Sequence, residues 1–286
     1  MRPILRFLRL FALLVFFGLF CTRTYAQIKF IQITDPHLYD GRKGVIGDDE
    51  TKSIAVLADC IETINGLKKH GPDYRFVVVT GDLGIERVVK DILDAKRQKI
   101  DTKTKEVNDE VNGKVNEKAK QLAESVVKSE VKTWLFIPGN NDLVDELPNT
   151  IGYYHLFIAE LKKKCKELNQ DMEIVDLCPP DESPSNGADS KSISYVAGDY
   201  TFVGFNDSSF KNNNESSRLS NNQIKYVDDV KRVLSNSGPF VYVFFHVPEI
   251  DDPYLASGAP DDKLVETINT RLSNAQTTGI GYAYSA

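Results

Sequence analysis

The chain has 286 residues, a formal net charge of −6 and 27% charged residues. Its length allows one large domain with a sizeable core. The acidic balance, and the lack of a basic run with interleaved aromatic residues beyond residue 26, argue against a nucleic-acid-binding protein.

The first 26 residues are typical of a secretory signal peptide. They contain three arginines near the start, the apolar run Leu10–Phe20 and small residues ending at Ala26. An uncleaved membrane anchor is the alternative, but the run is shorter than the roughly 20 residues that a spanning helix needs. Removing the segment, with four arginines and no acid, takes the formal charge from −6 to −10. We therefore expect a secreted or periplasmic domain over residues 27–286, with no stable membrane anchor after cleavage.

Short apolar runs alternate with helical patterns along the rest of the chain. Such runs predict buried strands, and an apolar stripe with a period near 3.6 predicts a helix. Alternating strands and helices favour an α/β layered sandwich. The predicted strands are Ile28–Thr34, Phe76–Thr80, Thr133–Ile137, Tyr200–Phe205 and Phe240–Phe245, and the predicted helices are Thr51–Lys69, Ile151–Leu168 and Ser220–Leu234.

Residues 86–132 depart from this alternation because they are dominated by charged and amide side chains. The segment predicts one or two exposed helices inserted into the domain, since no apolar heptad persists that would make a coiled-coil seam. Loops are expected at Cys178–Ser190 and Lys211–Ser217.

Three cysteines remain after the signal segment. Cys165 with Cys178 is the favoured disulfide pair in an exported protein, and the alternative is that Cys60, Cys165 and Cys178 are all small buried hydrophobic residues.

Residues that can hold a metal ion follow four of the predicted strands. The carboxyl ends of strands are where open α/β sheets place their sites. Taken one at a time, each motif is equally compatible with an ordinary turn or a packed histidine. The motifs are Asp35-x-His37, Gly81-Asp82, Gly139-Asn140-Asn141-Asp142 and His246.

The order of these motifs, from residue 28 to residue 248, resembles that of the calcineurin-like metallophosphoesterases. The segments Tyr200–Asn206 and Leu219–Val233 are similar to a further strand and helix of the family. The resemblance implies a β-sandwich of mixed sheets flanked by helices, with a site for two metal ions. Its substrates would be phosphoric mono- or diesters.

Transferred by position, the resemblance gives each motif a role. Asp35 and His37 would hold the first metal, Asp82 would bridge both, and Asn140 with His246 would hold the second. This mixed oxygen and nitrogen set suits Mn, Fe or Zn. A metal-bound hydroxide would attack the phosphorus.

The catalytic pair carried over from the motif is Asn141 with Asp142. The family has histidine where this chain has Asn141, and an amide cannot deliver a proton near neutral pH. Esters with good leaving groups are therefore expected to be the better substrates.

The family's Gly-His-x-His motif after the His246 strand is absent. Residues 264–286 predict a helix at Leu264–Asn274 and a Gly/Tyr-rich end. Three explanations remain: the chain is C-terminally incomplete relative to the family, Asp251 or Asp252 substitutes, or the site is degenerate.

The last explanation corresponds to an alternative function, an exported binding module that uses residues 86–132 to bind a partner. His155, in an aromatic segment, is expected to contact substrate or to pack on a helix face. The sequence does not indicate an oligomeric state.

Overall fold

Two four-stranded sheets form the framework of the protein. The computed structural model describes residues 28–38, 50–71, 73–96, 105–142, 152–179, 194–204, 240–244, 246 and 279–283. The first sheet is parallel throughout, in the order β1-β2-β3-β4. Its carboxyl ends therefore share one side, which we call the carboxyl edge. Its strands are β1 (Lys29–Thr34), β2 (Tyr74–Thr80), β3 (Thr133–Ile137) and β4 (Glu173–Asp176).

The second sheet is mixed and has the order β5-β6-β7-β8. Strands β5 and β6 are antiparallel and are joined by a turn in which Gly198 has a φ of 61°. Strands β6, β7 and β8 are parallel, and Phe244 pairs with Ala283 near their carboxyl ends. The strands are β5 (Ser194–Ala197), β6 (Tyr200–Gly204), β7 (Phe240–Phe244) and β8 (Gly279–Ala283).

Four described helices pack on one face of the first sheet. Apolar residues from each helix join the same buried cluster as the outward-facing side chains of β2 and β3. No described helix has both the length and the apolar character that a membrane span requires. The helices are α1 (Glu50–His70), α2 (Ile85–Lys96), α3 (Lys105–Val126) and α4 (Gly152–Leu168).

The opposite face of the first sheet packs against the second sheet. Successive residues of a strand point to opposite faces, so Val77 and Val79 of β2 contact the helices, whereas Phe76 and Val78 contact the second sheet. Aromatic rings fill the space between the sheets, and the ring centroid of Phe76 lies 4.6 Å from that of Phe202. The predicted α/β sandwich of mixed sheets with flanking helices is confirmed.

Five of the eight described strands fall where the sequence predicts them, as β1, β2, β3, β6 and β7. Helices α1 and α4 match two predictions closely. The sequence predicts neither β4 nor β5, and β8 forms in the Gly/Tyr-rich end, where no strand is predicted. The predicted helices Ser220–Leu234 and Leu264–Asn274, the predicted loop Lys211–Ser217 and most of the loop after Cys178 lie outside the described residues.

The charged segment 86–132 contains most of α2 and all of α3, which agrees with the expectation of two helices. The expectation that they are exposed is wrong for α3. Val107, Val111 and Val115 are buried in the core, one helical turn apart. Three mostly polar residues separate successive valines, so the apolar stripe is narrow in sequence but continuous on the helix. That the segment is an insertion stays a prediction.

The expected disulfide is wrong, because neither Cys165 nor Cys178 forms a disulfide. Cys165 belongs to the cluster between the helices and the first sheet, whereas Cys178 belongs to the cluster between the two sheets. The first sheet therefore separates the two thiols. Both are buried, as the alternative reading expected, and Cys60 is half-buried.

Candidate metal centre

The chain turns sharply at the carboxyl end of β1, where Asp35 and His37 follow the strand. Both residues have left-handed backbone conformations, with φ of 47° and 40°. The amide of Asp35 donates to the Thr80 carbonyl at 3.3 Å, and the amide of His37 donates to the Asp82 carbonyl at 2.9 Å. These bonds hold both side chains beside the end of β2. Left-handed non-glycine residues are strained, and such strain concentrates at functional sites.

Gly81 allows Asp82 to reach the same place from β2. Its φ is 96°, and its amide donates to the Ile137 carbonyl at 3.1 Å. A Cβ atom at this position would overlap the imidazole of His246 and would lie 2.6 Å from Oδ1 of Asp35. Only glycine fits both the backbone conformation and the space.

Four of the predicted ligands lie together at the carboxyl edge. Asp35, Asp82 and His246 each present a ligand atom within 4.8 Å of the others. Nδ1 of His246 lies 3.4 Å from Oδ1 of Asp35, and its Nε2 lies 3.3 Å from Oδ1 of Asp82. Nε2 of His37 lies 3.8 Å from Oδ2 of Asp82, with the His37 side chain 40% exposed. His37 therefore lies on the solvent side of the cluster.

The charges of the cluster fit a bound cation. Burial opposes ionisation of Asp82, but hydrogen bonds from His246 and Asn141 outweigh it and lower the pKa of Asp82 to about 2. Burial raises the pKa of Asp35 in spite of the nearby His246. Oδ1 of Asp35 is buried, and no described residue makes a hydrogen bond to it. A cation would supply the positive charge that this oxygen lacks.

The turn after β3 fixes the orientation of Asp82. The amide of Asn141 donates to Oδ1 of Asp82 at 2.8 Å, and Nδ2 of Asn141 donates to its Oδ2. Asn141, predicted to be catalytic, thus directs both donors at a predicted metal ligand. Asn140 belongs to the same short helix, Asn140–Asp142, but its side chain lies outside the described part of the chain, so its ligand role stays a prediction.

Gly139 has a role that its sequence context did not reveal. A Cβ atom there would lie 2.8 Å from Cα of Asp82 and would overlap its amide nitrogen. The glycine therefore permits the close approach of the two loops. The Pro-Gly-Asn sequence signalled a turn, but not what the turn touches.

Asp142 binds the backbone of two loops. Its Oδ1 accepts from the amides of Gly84 at 2.9 Å and Ile85 at 3.3 Å, and its Oδ2 accepts from Leu83 at 3.1 Å and Gly139 at 2.9 Å. Burial raises the pKa of Asp142 to about 7, although the amide donors oppose this change. All four partners are backbone N–H donors, and the Asp142 side chain is fully buried from solvent.

These contacts differ from those expected of the catalytic acid that the motif suggested. A carboxylate enclosed by backbone amides can hold the loop after β2 and the first turn of α2 in place. It cannot reach a substrate without leaving that position. Asp251 and Asp252, considered as substitute ligands, lie outside the described residues.

A family of known proteins matches the greater part of the chain. A sequence model of the family described as calcineurin-like phosphoesterase matches residues 28–272. No curated protein matches the chain. A solved crystal structure is similar at 12% sequence identity and a TM-score of 0.48, with 89% of this chain and 84% of the other covered.

Proposed function

Since the chain belongs to the calcineurin-like phosphoesterase family, we propose that it hydrolyses a phosphoric mono- or diester at a dinuclear metal centre on the carboxyl edge. The observation that carries this proposal is the meeting of Asp35, Asp82 and His246 within 4.8 Å. Bound Mn, Fe or Zn ions would supply Lewis acidity and would lower the pKa of water.

The contacts of Asp82 make it the proposed bridge between two cations. Its Oδ1 faces His246 and its Oδ2 faces His37, so the two oxygens point toward different predicted ligands. Its lowered pKa keeps it ionised across the neutral range. Asp35 with His37 would complete one position, and His246 with Asn140 would complete the other.

The residues of this chain also bear on the leaving group. The side-chain amide of Asn141 is engaged with Asp82 and carries no proton that titrates near neutral pH. We therefore propose that the departing alcohol leaves without a proton from Asn141. Esters of acidic alcohols, such as nitrophenol, are then the preferred test substrates.

Metal analysis of the purified protein, combined with assays on p-nitrophenyl phosphate and bis-p-nitrophenyl phosphate, tests the proposal. We expect the purified protein to contain bound Mn, Fe or Zn. Hydrolysis should stop when a chelator removes the metal. Asp82→Asn should lose the metal and lower kcat/KM at least ~100-fold, because metal activation contributes several kcal/mol to the barrier.

Asp109→Asn is the matched control, since Asp109 is an exposed acid of α3. It should keep both the metal and the rate. A folded protein that binds no metal, or an Asp82→Asn variant as active as the wild type, contradicts the proposal.

A further inference from the structure

Asn141 binds the carboxylate of Asp82 with two separate donors. Its backbone amide donates to Oδ1 at 2.8 Å, and Nδ2 of its side chain donates to Oδ2. The terminal torsion of an aspartate side chain is broad, so a single donor would leave the carboxylate free to rotate. Two donors from one residue, one to each oxygen, fix the plane of the carboxylate.

In this orientation each oxygen of Asp82 also faces a histidine. Oδ1 lies 3.3 Å from Nε2 of His246, and Oδ2 lies 3.8 Å from Nε2 of His37. Each carboxylate oxygen has about two lone-pair sites, so one bond from Asn141 to each oxygen leaves a site on each for a cation. The orientation that Asn141 fixes is therefore the one in which Asp82 can bind a cation on both sides.

The turn that carries Asn141 is bonded to the loop that carries Asp82. Oδ2 of Asp142 accepts from the amides of Leu83 at 3.1 Å and Gly139 at 2.9 Å, and so joins the two loops. A Cβ atom at Gly139 would overlap the amide nitrogen of Asp82, which shows how closely the loops approach. The position of Asn141 relative to Asp82 is thus set by the backbone on both sides.

The amide of Asn141 suits positioning better than proton transfer. Histidine, the residue that the family has at this position, can both donate a hydrogen bond and titrate near neutral pH. Asparagine keeps only the donor function. In this chain that donor is directed at Asp82.

We propose that Asn141 is a positioning residue, which presets the Asp82 carboxylate so that each of its oxygens can bind one of two cations. The inference rests on the proposed function of the metal centre and assigns a role within it. Asn141 affects the reaction through Asp82 and does not touch the substrate. Hydrogen-bond partners of metal ligands typically contribute about 10- to 100-fold to metal affinity.

Metal affinity tests the inference. Asn141→Ala removes the side-chain donor and keeps the backbone donor, so zinc affinity should fall at least ~10-fold in competition with a chromogenic chelator. Asn141→His can place a ring N–H near the position of Nδ2, and should bring the affinity back to within about 3-fold of wild type. Asn108→Ala, at an exposed position of α3, is the matched control and should keep the affinity. Wild-type affinity in Asn141→Ala, or an Asn141→His variant as weak as Asn141→Ala, overturns the inference.

The rate with the metal site full separates positioning from catalysis. Because Asn141 acts through a metal ligand, Asn141→Ala should regain most of the wild-type kcat toward p-nitrophenyl phosphate once zinc exceeds its raised Kd. A side chain that touches the substrate would leave kcat reduced about 100-fold or more at the same metal occupancy. That result would make Asn141 a catalytic residue and overturn the inference.

Proton–nitrogen NMR of the wild type decides the contact if Asn141→Ala does not fold. The backbone and side-chain N–H signals of Asn141, assigned with Asn141→His, should shift when zinc binds, because the cation draws charge from the oxygens that accept these bonds. The side-chain amide of Asn108 should stay in place. Asn141 signals that do not move on zinc binding overturn the inference.

The failure of this inference is distinguishable from that of the proposed function. A wild type that binds no metal contradicts both. A wild type that binds metal but hydrolyses neither nitrophenyl ester contradicts the proposed function alone, since the affinities of the variants still decide the role of Asn141. Equal metal affinity in the wild type and Asn141→Ala contradicts the inference alone.

Discussion

Nε2 of His246 lies 3.3 Å from Oδ1 of Asp82, although the two residues extend from different sheets. Asp82 follows β2 of the first sheet, and His246 comes shortly after β7 of the second. The candidate metal centre therefore closes only when the two sheets pack against each other. A ligand set divided in this way can lose one member without losing the fold.

Replacing His246 is expected to weaken metal binding while the protein stays folded. His246→Gln removes both ring nitrogens, of which Nδ1 faces Asp35 and Nε2 faces Asp82. We therefore expect metal affinity to fall at least ~100-fold. Competition with a chromogenic chelator measures the change, and circular dichroism checks the fold. Affinity equal to that of the wild type would place the metal elsewhere.

Glycine at position 81 is expected to be essential. Gly81→Ala combines a left-handed φ with overlap between the new Cβ and the His246 ring, so metal binding should be lost. Gly113→Ala is the matched control, because its Cβ in α3 would meet nothing within 4 Å. That variant should gain about 0.5–1 kcal/mol of unfolding free energy. Metal titration measures binding by each variant, and urea unfolding measures its stability. If Gly81→Ala bound metal as well as Gly113→Ala does, the steric argument would be refuted.

Asp142→Asn is expected to destabilise the protein. The amide nitrogen of asparagine would face backbone N–H groups that now donate to a carboxylate oxygen. We expect a loss of about 2–4 kcal/mol in the free energy of unfolding, measured by urea denaturation of the metal-free protein. Asp109→Asn, on the exposed face of α3, should change it by less than about 0.5 kcal/mol. An Asp142→Asn variant with the wild-type free energy of unfolding would show that the four amide contacts contribute little to stability.

Lys118 is expected to make stability depend on alkaline pH. The residue is buried beside Leu38, Val88 and Phe157, and desolvation lowers the pKa of its ammonium group from 10.5 to about 8. Between these values the unfolded chain binds more protons than the folded one, so the free energy of unfolding rises with pH across this window.

Replacing Lys118 removes that dependence. Lys118→Met should stabilise the protein by about 1–2 kcal/mol near pH 7, allowing for partial solvation, and the gain should shrink as the pH rises toward 10.5. Lys120→Met, at an exposed position of the same helix, should show neither effect. Urea denaturation at several pH values measures both variants. A gain that stays constant with pH would contradict the lowered pKa.

Thiol labelling is expected to find Cys165 and Cys178 reduced. Without a reductant, both should be alkylated after unfolding and protected before it, because both are buried and neither forms a disulfide. Burial also raises the pKa of the Cys165 thiol to about 12, which keeps it unreactive in the folded state. Mass spectrometry of the labelled protein gives the result. A mass two hydrogens short of the reduced chain would indicate a disulfide.

The strands that the sequence revealed are those with unbroken apolar runs, such as Phe76–Thr80. Strand β4 reads Glu-Ile-Val-Asp and β8 reads Gly-Ile-Gly-Tyr-Ala, so neither has the length or β-branched content that signals a strand on its own. Both form because a neighbouring strand offers a parallel partner. Pairing of this kind depends on the tertiary structure and leaves little local pattern.

The site shows the same division. The sequence predicts that Asp35, His37, Asp82 and His246 lie together, because each follows a predicted strand, and the structure brings these four side chains together. The sequence did not reveal the environment of Asp142. An acid after Gly-Asn-Asn has the same local sequence whether its side chain faces a substrate or four backbone amides. The contact of His155 was equally hidden: its Nδ1 lies 3.2 Å from Oδ2 of Asp176, a residue that follows it by most of a helix and a strand.

The division of ligands between two sheets has a thermodynamic consequence. A cation that contacts both His246 and Asp82 binds the state in which the two sheets are packed together, and does not bind the separated sheets. It therefore stabilises the packing of one sheet on the other. At a free concentration 100 times Kd, such a ligand adds about 2.7 kcal/mol to the free energy of unfolding. The free metal concentration would then affect the stability of the two-sheet sandwich as well as the chemistry of the site.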